Sequence, residues 1–520
     1  MGINAAQILR QAALRWPDRP AVIDAGTPGS ARRVVSYRDL DERARSAATR
    51  LARRGVQHGY RVALVGENSD AFVAAWFGIL YAGATVVPIP IASAAPEVAH
   101  RLRHARCRAV LFDTDRAALV NEVLAGLDFQ VARFDVSHVT QVASDAIPFP
   151  ADAAPHEPAM VLYTSGTSGE ARGALISHAS LLLHTSVIVH HGLGLRTDDC
   201  VLGVLPLTHS YGCRMVMLAT FFAGARCVLV PRFDPARTLT IMQQEEVTWL
   251  PAVPTMYAAW GDQGGGARSA KLRWGLSAGA PLPDEIARRA ELRLGVEIRQ
   301  GYGLTEATFS TMNAPPEPRM LGSVGRPLWG IEVRIVDSTG SDVPAGADGE
   351  VLVRGHNAMN GYLDDPDATR LVSGTGWIRS GDVGRLDETG RLWIVDRIKD
   401  LIIRGGNNVY PAEVEAVLAE HPDVAEVAVI GRPDRYWGEE VVAVIVARQG
   451  AKPDPDQINT WVRERIASTK VPREYAFVPE MPLGPSGKVL KRELLDWMLQ
   501  GMLHTVGLRS ERLVSKPAER

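Results

Sequence analysis

The chain has 520 residues, more than one hydrophobic core ordinarily supports, so two or more domains are expected. An apolar content of 46% with 22% charged residues is that of an ordinary globular protein. With 57 basic against 59 acidic residues there is no electrostatic footprint for nucleic acid or an anionic membrane, and four cysteines (Cys107, Cys200, Cys213, Cys227) without a CxxC pair argue for a reducing compartment and against a structural zinc site.

The N-terminal stretch carries Arg10, Arg15 and Asp18, which interrupt any apolar core of a signal peptide; a cytoplasmic location is expected. Ala71 to Pro96 is uncharged and long enough to suggest a membrane span, but Gly78, Gly83, Pro88, Pro90 and Pro96 divide it into a helix of about three turns and a short buried strand. Short Val/Leu-rich runs at 61–66, 84–88, 108–112, 160–163, 201–205, 226–230 and 248–250 are separated by helix-length segments. That alternation predicts parallel or mixed sheets with helices on both faces, an α/β architecture. After about Gly322 the rhythm changes to strands and turns, at 331–337, 350–354 and 391–396, which fits a small antiparallel, barrel-like subdomain over 322–398. From Asp400 to about residue 500 a compact α+β pattern follows: a helix starting at Pro411, strands at 424–430 and 441–446, and a helix over 456–468. Residues 501–520 read as a loose tail.

Seven stretches carry candidate chemistry. In VLYTSGTSGEARG a buried strand runs into a loop in which every residue from Thr164 through Ser165, Gly166, Thr167 and Ser168 to Gly169 is Gly, Ser or Thr, with Arg172 behind it. Open backbone N–H groups, hydroxyls and a cation make a phosphate cradle, although no GxxxxGK[ST] sequence exists. SAGAPLP (277–283) follows a strand with small residues. In QGYGLTE (300–306), Tyr302 can stack on a purine, Thr305 can bond a phosphate oxygen and Glu306 offers a hard carboxylate for Mg²⁺. Asp382 in WIRSGD and Arg397 in DRIKD can converge on ribose hydroxyls or form a surface ion pair. Finally, Gly405 and Gly406 in IIRGGNNVYPAEVE form a turn ahead of a helix, and Lys488 in LGPSGKVLKR sits on a Gly/Pro/Ser loop.

These motifs, in this order from Tyr163 to Arg492, resemble those of the AMP-forming adenylating enzymes: acyl- and aryl-CoA synthetases, peptide-synthetase adenylation domains and beetle luciferases. Arg172 stands where that family usually has lysine, keeping the charge with a planar fork. The resemblance implies ATP, Mg²⁺ and coenzyme A as cofactors and substrates. It places Gly279 and Ala280 in the adenine pocket wall, Asp382 and Arg397 on the ribose and Lys399 at a hinge. It places Gly405 and Gly406 at the thioester-forming site and Lys488 between the substrate carboxylate and the α-phosphate. It implies a large N-terminal domain over 1–398 and a small mobile C-terminal domain over 400–500 that rotates between the adenylating and thioester-forming half-reactions.

For the acyl group, PLTHSYG (206–212) resembles the segment lining the acyl and thiol tunnels, with His209 as a gate and Tyr211 nearer the substrate; Gly303, Ser310 and Arg214 are further candidates. Peptide-synthetase domains for α-amino acids have an Asp near here to hold the ammonium; none lies between Pro206 and Arg214, so the resemblance implies an acid without an α-amino group. Arg214 either pairs with a polar or anionic group on the substrate or snorkels to its helix surface. Fatty, aryl and dicarboxylic acids stay open. In the enzymes this chain resembles, stand-alone ligases that load carrier proteins often have an insertion near the middle of the chain that obstructs transfer to coenzyme A; the segment 357–377 is short, so the resemblance implies coenzyme A as the acceptor, with a carrier protein as the alternative. Monomer and homodimer are both open.

Overall fold

The computed structural model describes residues 3–29, 31–146, 150–164, 171–264, 269–484 and 489–507. Among them lie four sheets, three in a large N-terminal domain and one in a smaller C-terminal domain. The first runs in the order 132–135, 109–112, 61–66, 85–90, 158–164 and 172–177, parallel except for the last hairpin. The second has nine strands, with a parallel centre built from Ile298–Tyr302, Trp274–Ser277, Trp249–Ala252, Cys200–Gly203, Arg226–Leu229 and Pro20–Asp24, and antiparallel strands at both edges.

The uncharged stretch is a helix, Asp70–Tyr81, followed by the buried strand Thr85–Pro90. Ser69 caps the helix by accepting from the Phe72 N–H, and every residue in it but Ala71 is buried, so its apolarity serves the protein core on all sides. Gly78 lets it approach the neighbouring helix Tyr37–Arg53: a Cβ there would lie 2.6 Å from that of Ala47. Among the described residues no helix is long and apolar enough to cross a membrane.

Asn68, just beyond the strand Arg61–Gly66, links the two large sheets. Its Nδ2 donates to the Leu205 carbonyl at 2.8 Å and its Oδ1 accepts from the Leu207 N–H at 2.9 Å. Two hydrogen bonds from one buried amide thereby fix the segment that leads into His209.

Strands Ile331–Val336, Gly349–Gly355, Ile378–Leu386 and Leu392–Arg397 form an antiparallel meander. Its first and last strands are not paired with each other among the described residues, so the hydrogen-bond pattern is an open sheet and not a closed barrel. The third strand, unassigned in the sequence reading, contains Asp382. The C-terminal sheet runs in the order 407–409, 402–404, 438–447, 474–477 and 505–507, with Val424–Asp434 also paired to 438–447. Thr505–Gly507 is thus an antiparallel edge strand on Glu474–Phe477, which corrects the expectation of a loose tail from 501 onward; backbone pairing needs no apolar periodicity. Residues 508–520 lie outside the described residues. The helix expected over 456–468 is Pro455–Arg463; beyond it the chain turns and presents the Thr469 carbonyl to Arg404, 2.9 Å away.

Candidate active site

Ser165, Gly166, Thr167, Ser168, Gly169 and Lys488 lie outside the described residues. The strands flanking the Gly/Ser/Thr loop form a hairpin in which Thr164 pairs with Arg172. The Arg172 guanidinium lies 5.8 Å from the Tyr362 ring centroid, and its Nε is 3.3 Å from Asp365. Tyr362 donates its phenol to Oε1 of Glu306 at 2.6 Å. The cation behind the loop and the candidate metal ligand therefore share one aromatic neighbour. Burial, and then the Glu306 carboxylate, push the Tyr362 phenol pKa far up, so it remains a proton donor. Thr305 is half-buried beside Glu306.

Tyr302 donates to Asp382 Oδ2 at 2.6 Å, while Arg397 Nε lies 3.3 Å from Oδ1 of the same carboxylate. Asp382 and Arg397 are register partners on adjacent antiparallel strands, which is why a short connection brings them together. The residue expected against the purine and the pair expected at the ribose thus form one unit. Burial and Asp382 raise the Tyr302 pKa well above its usual value.

His209, Tyr211 and Gly279 line one pocket with Leu205, Pro206, Gly212 and Val253. Gly279, with φ of 92°, and Ala280 are exposed just past the strand Trp274–Ser277. The Nδ1 atom of His209 accepts from the Tyr211 N–H at 3.2 Å. Tyr211 is buried and donates its hydroxyl to the Leu276 carbonyl at 2.7 Å, so its ring and not its phenol faces the pocket chemistry. That ring meets Phe309 edge-on at 5.0 Å. Phe309 has φ of 44°, a costly conformation for an aromatic residue, and Gly303 permits it: a Cβ on Gly303 would sit 2.1 Å from the Phe309 nitrogen. Ser310 is buried, donating to Ala307 and accepting from Asn357. Arg214 does not snorkel: it is fully buried and donates to Ser180.

Gly405 and Gly406 occupy the exposed turn between Ile402–Arg404 and Asn407–Val409, with φ of 56° and 81°. Gly405 donates its N–H to the Trp437 carbonyl at 2.7 Å, and the Trp437 ring has the guanidinium groups of Arg404 and Arg473 at 5.2 and 5.4 Å. Lys399 is exposed at the turn between the domains. Across it, Asp396 Oδ2 accepts from the Ala412 N–H, at the start of the helix Pro411–Ala419, at 2.9 Å. The sequence motifs did not point to Tyr362, Asp365 or Asn357. The run GYLDDP, a tyrosine after glycine and before carboxylates, was the available signal for the first two.

A helix-covered two-sheet domain with a Gly/Ser/Thr hairpin loop, a Tyr–Asp–Arg unit and a Tyr–Glu pair defines a nucleotide-dependent carboxylate-activating enzyme. The chain belongs to the AMP-binding enzyme family, whose description matches residues 9–363, with the AMP-binding enzyme C-terminal domain matching 413–488. It is 36% identical over 487 residues to a feruloyl-CoA synthase of an Amycolatopsis species, covering 92% of this chain and 96% of that one. It is 33% identical over 499 residues to the fatty acid–[acyl-carrier-protein] ligase ScoC of Streptomyces coeruleorubidus, covering 92% and 93%. The crystal structure of the anthranilate CoA ligase AuaEII in complex with anthranoyl-AMP superposes with a TM-score of 0.88 at 27% identity, covering 96% of this chain and 98% of that one.

Proposed function

We propose that the protein is an AMP-forming acid–CoA ligase. A carboxylate oxygen of the acid attacks the α-phosphorus of ATP, the bond to pyrophosphate breaks, and acyl-AMP forms. The thiol of coenzyme A then attacks the acyl carbon, loses its proton and releases AMP. The observation that supports this reading is that the segment 302–306 belongs to two polar clusters, Tyr302 with Asp382 and Arg397 at one end and Glu306 with Tyr362 and Arg172 at the other, Arg172 being the register partner of Thr164.

Tyr302 and Arg397 hold the Asp382 carboxylate in position to accept from ribose hydroxyls. Arg172 supplies positive charge beside the phosphates. Glu306 fits Mg²⁺: its Oε1 is fixed by Tyr362, and among the described residues no three His, Cys, Asp or Glu side chains gather to form a protein cage. A single carboxylate together with phosphate oxygens and water is the coordination this ion favours, and when bound it neutralises charge on the phosphates. Lys488 stabilises charge that develops between carboxylate and α-phosphate. The C-terminal domain turns at Lys399 to bring the Gly405–Gly406 turn to the acyl-AMP, breaking the Asp396 bond to Ala412 as it moves.

The test is pyrophosphate release with ATP and Mg²⁺ over fatty, aryl and dicarboxylic acids, with and without coenzyme A. Release that rises sharply with coenzyme A for one acid class supports the reading; release indifferent to it for every acid overturns it. The likeness to ScoC favours a second reading, a ligase loading a carrier protein. Thioester formation on a phosphopantetheinylated carrier, with none on coenzyme A, would decide for it.

A further inference from the structure

Arg214 is 0% exposed, and no carboxylate among the described residues pairs with it. Its Nη1 and Nη2 donate to the carbonyl and hydroxyl of Ser180, at 3.2 and 3.3 Å, and its Nε has no partner. Burial lowers its pKa only to about 10, so it carries its charge at neutral pH. A buried ion with no countercharge is costly to keep in the fold, and a bound anionic ligand would offset that cost. The residue lies in the π-helical segment Gly212–Leu218, a local geometry frequent at functional sites.

Its surroundings add polarity but no negative charge. His184, also fully buried, shares a 3.2 Å hydrogen bond with His356, and burial together with the Arg214 charge keeps both imidazoles neutral. The next residue, Asn357, donates to the Thr308 carbonyl and to Ser310 Oγ, the two neighbours of Phe309. Phe309 in turn meets edge-on the ring of Tyr211, which lines the pocket with His209. Tyr211 and Gly212, three and two residues before Arg214 in the same helical run, line that pocket, so the unbalanced cation directly follows the pocket lining along the chain.

We propose that Arg214 is a specificity determinant for an acid bearing a second anionic group, remote from the carboxylate that is activated. The inference rests on the ligase reading above. The anion would take the open Nε–H of the guanidinium and balance its charge, and an acid of similar size without that group would leave the charge buried and unpaired.

The experiment compares kcat/KM in matched pairs: adipate with hexanoate, homophthalate with phenylacetate, and sulfoacetate with propionate, by coenzyme A-dependent pyrophosphate release. The wild type is expected to prefer the anionic member of at least one pair, and which pair shows it distinguishes a second carboxylate from a sulfonate. Arg214→Met is expected to lower kcat/KM for that member by roughly 30-fold or more and to leave the uncharged member unchanged or improved. Arg214→Lys, which keeps the charge, should retain part of the preference. Wild-type preference for the uncharged acid in every pair overturns the proposal without needing any variant to fold. So does an equal loss on both members in Arg214→Met, the result of a purely structural tie to Ser180. Absence of coenzyme A-dependent release with every acid overturns the ligase reading itself, and the proposal with it.

Discussion

The phenol of Tyr362 donates a 2.6 Å hydrogen bond to Glu306 Oε1, joining residues 56 positions apart. Tyr362 belongs to the segment between the meander's second and third strands, and Glu306 to the loop after the strand Ile298–Tyr302. The bond holds Oε1 of Glu306, and the face of the same ring carries the Arg172 guanidinium, so one side chain ties the carboxylate to the cation.

Tyr362→Phe keeps the ring beneath Arg172 and removes only the donor. Loss of a group that orients a metal ligand typically costs roughly 10–100-fold in affinity or activity. Acyl-AMP formation should fall by that factor, and the Mg²⁺ concentration for half-maximal rate should rise. An unchanged magnesium titration would show that Tyr362 acts on something other than Glu306.

The helix Ala95–His104 touches both ends of the Gly/Ser/Thr hairpin. His100 Nε2 lies 3.2 Å from the Ala171 carbonyl, and His104 Nδ1 lies 2.8 Å from Tyr163 Oη. A net hydrogen bond is worth about 1 kcal/mol, or roughly fivefold in affinity. His100→Ala should weaken ATP binding by about that factor in a direct titration, with His100→Gln restoring it. If ATP affinity is the same in all three proteins, the contact with Ala171 does not position the loop.

Much of this architecture was legible because period and composition agreed locally. The strand Arg61–Gly66 is an uninterrupted apolar run, and the helix Asp70–Tyr81 announces itself by twelve residues without an internal charge after a serine cap. The Tyr302–Asp382–Arg397 unit was half legible: each residue lay in a recognisable motif, but the direct phenol–carboxylate bond depends on how the meander folds against the second sheet. Asn357, His184 and Arg214 were illegible as a cluster, since their proximity comes from three separate elements and a buried arginine looks like any other in sequence.

His178 accepts the Ala5 N–H at Nδ1 over 3.0 Å and is buried, and burial lowers its pKa to about 4. A free imidazole has pKa 6.5, so the unfolded chain takes up the proton first. The stabilisation is complete above about pH 6.5 and is lost as the pH falls towards 4; the gap corresponds to about 3 kcal/mol. His178→Gln can still accept from Ala5 and does not titrate. Its melting temperature should therefore rise relative to wild type as the pH drops from 7.5 to 4.5. A pH-independent difference between the two proteins would mean that His178 is not held neutral by the fold.

The two half-reactions should separate under two substitutions in the C-terminal domain. Gly406 has φ of 81°, which leucine adopts only with strain, and it lies beside Gly405, whose Cα faces the Trp437 ring so closely that a Cβ would stand 2.7 Å away. Gly406→Leu should distort that turn and slow thioester formation by roughly tenfold or more, given that positioning errors of about 1 Å can cost 100-fold. Pyrophosphate release measured without coenzyme A should be preserved. Lys488→Ala should do the opposite, lowering acyl-AMP formation by about 100- to 1000-fold, the scale of losing one donor aimed at developing charge. Transfer from preformed acyl-AMP to coenzyme A should survive, since the α-phosphate is no longer under attack in that step. Single-turnover assays of each step on each variant give four rates. If both variants slow both steps equally, the domain does not present different faces to the two reactions, and the bond from Ala412 to Asp396 is a permanent tie between the domains and not one that rotation must break.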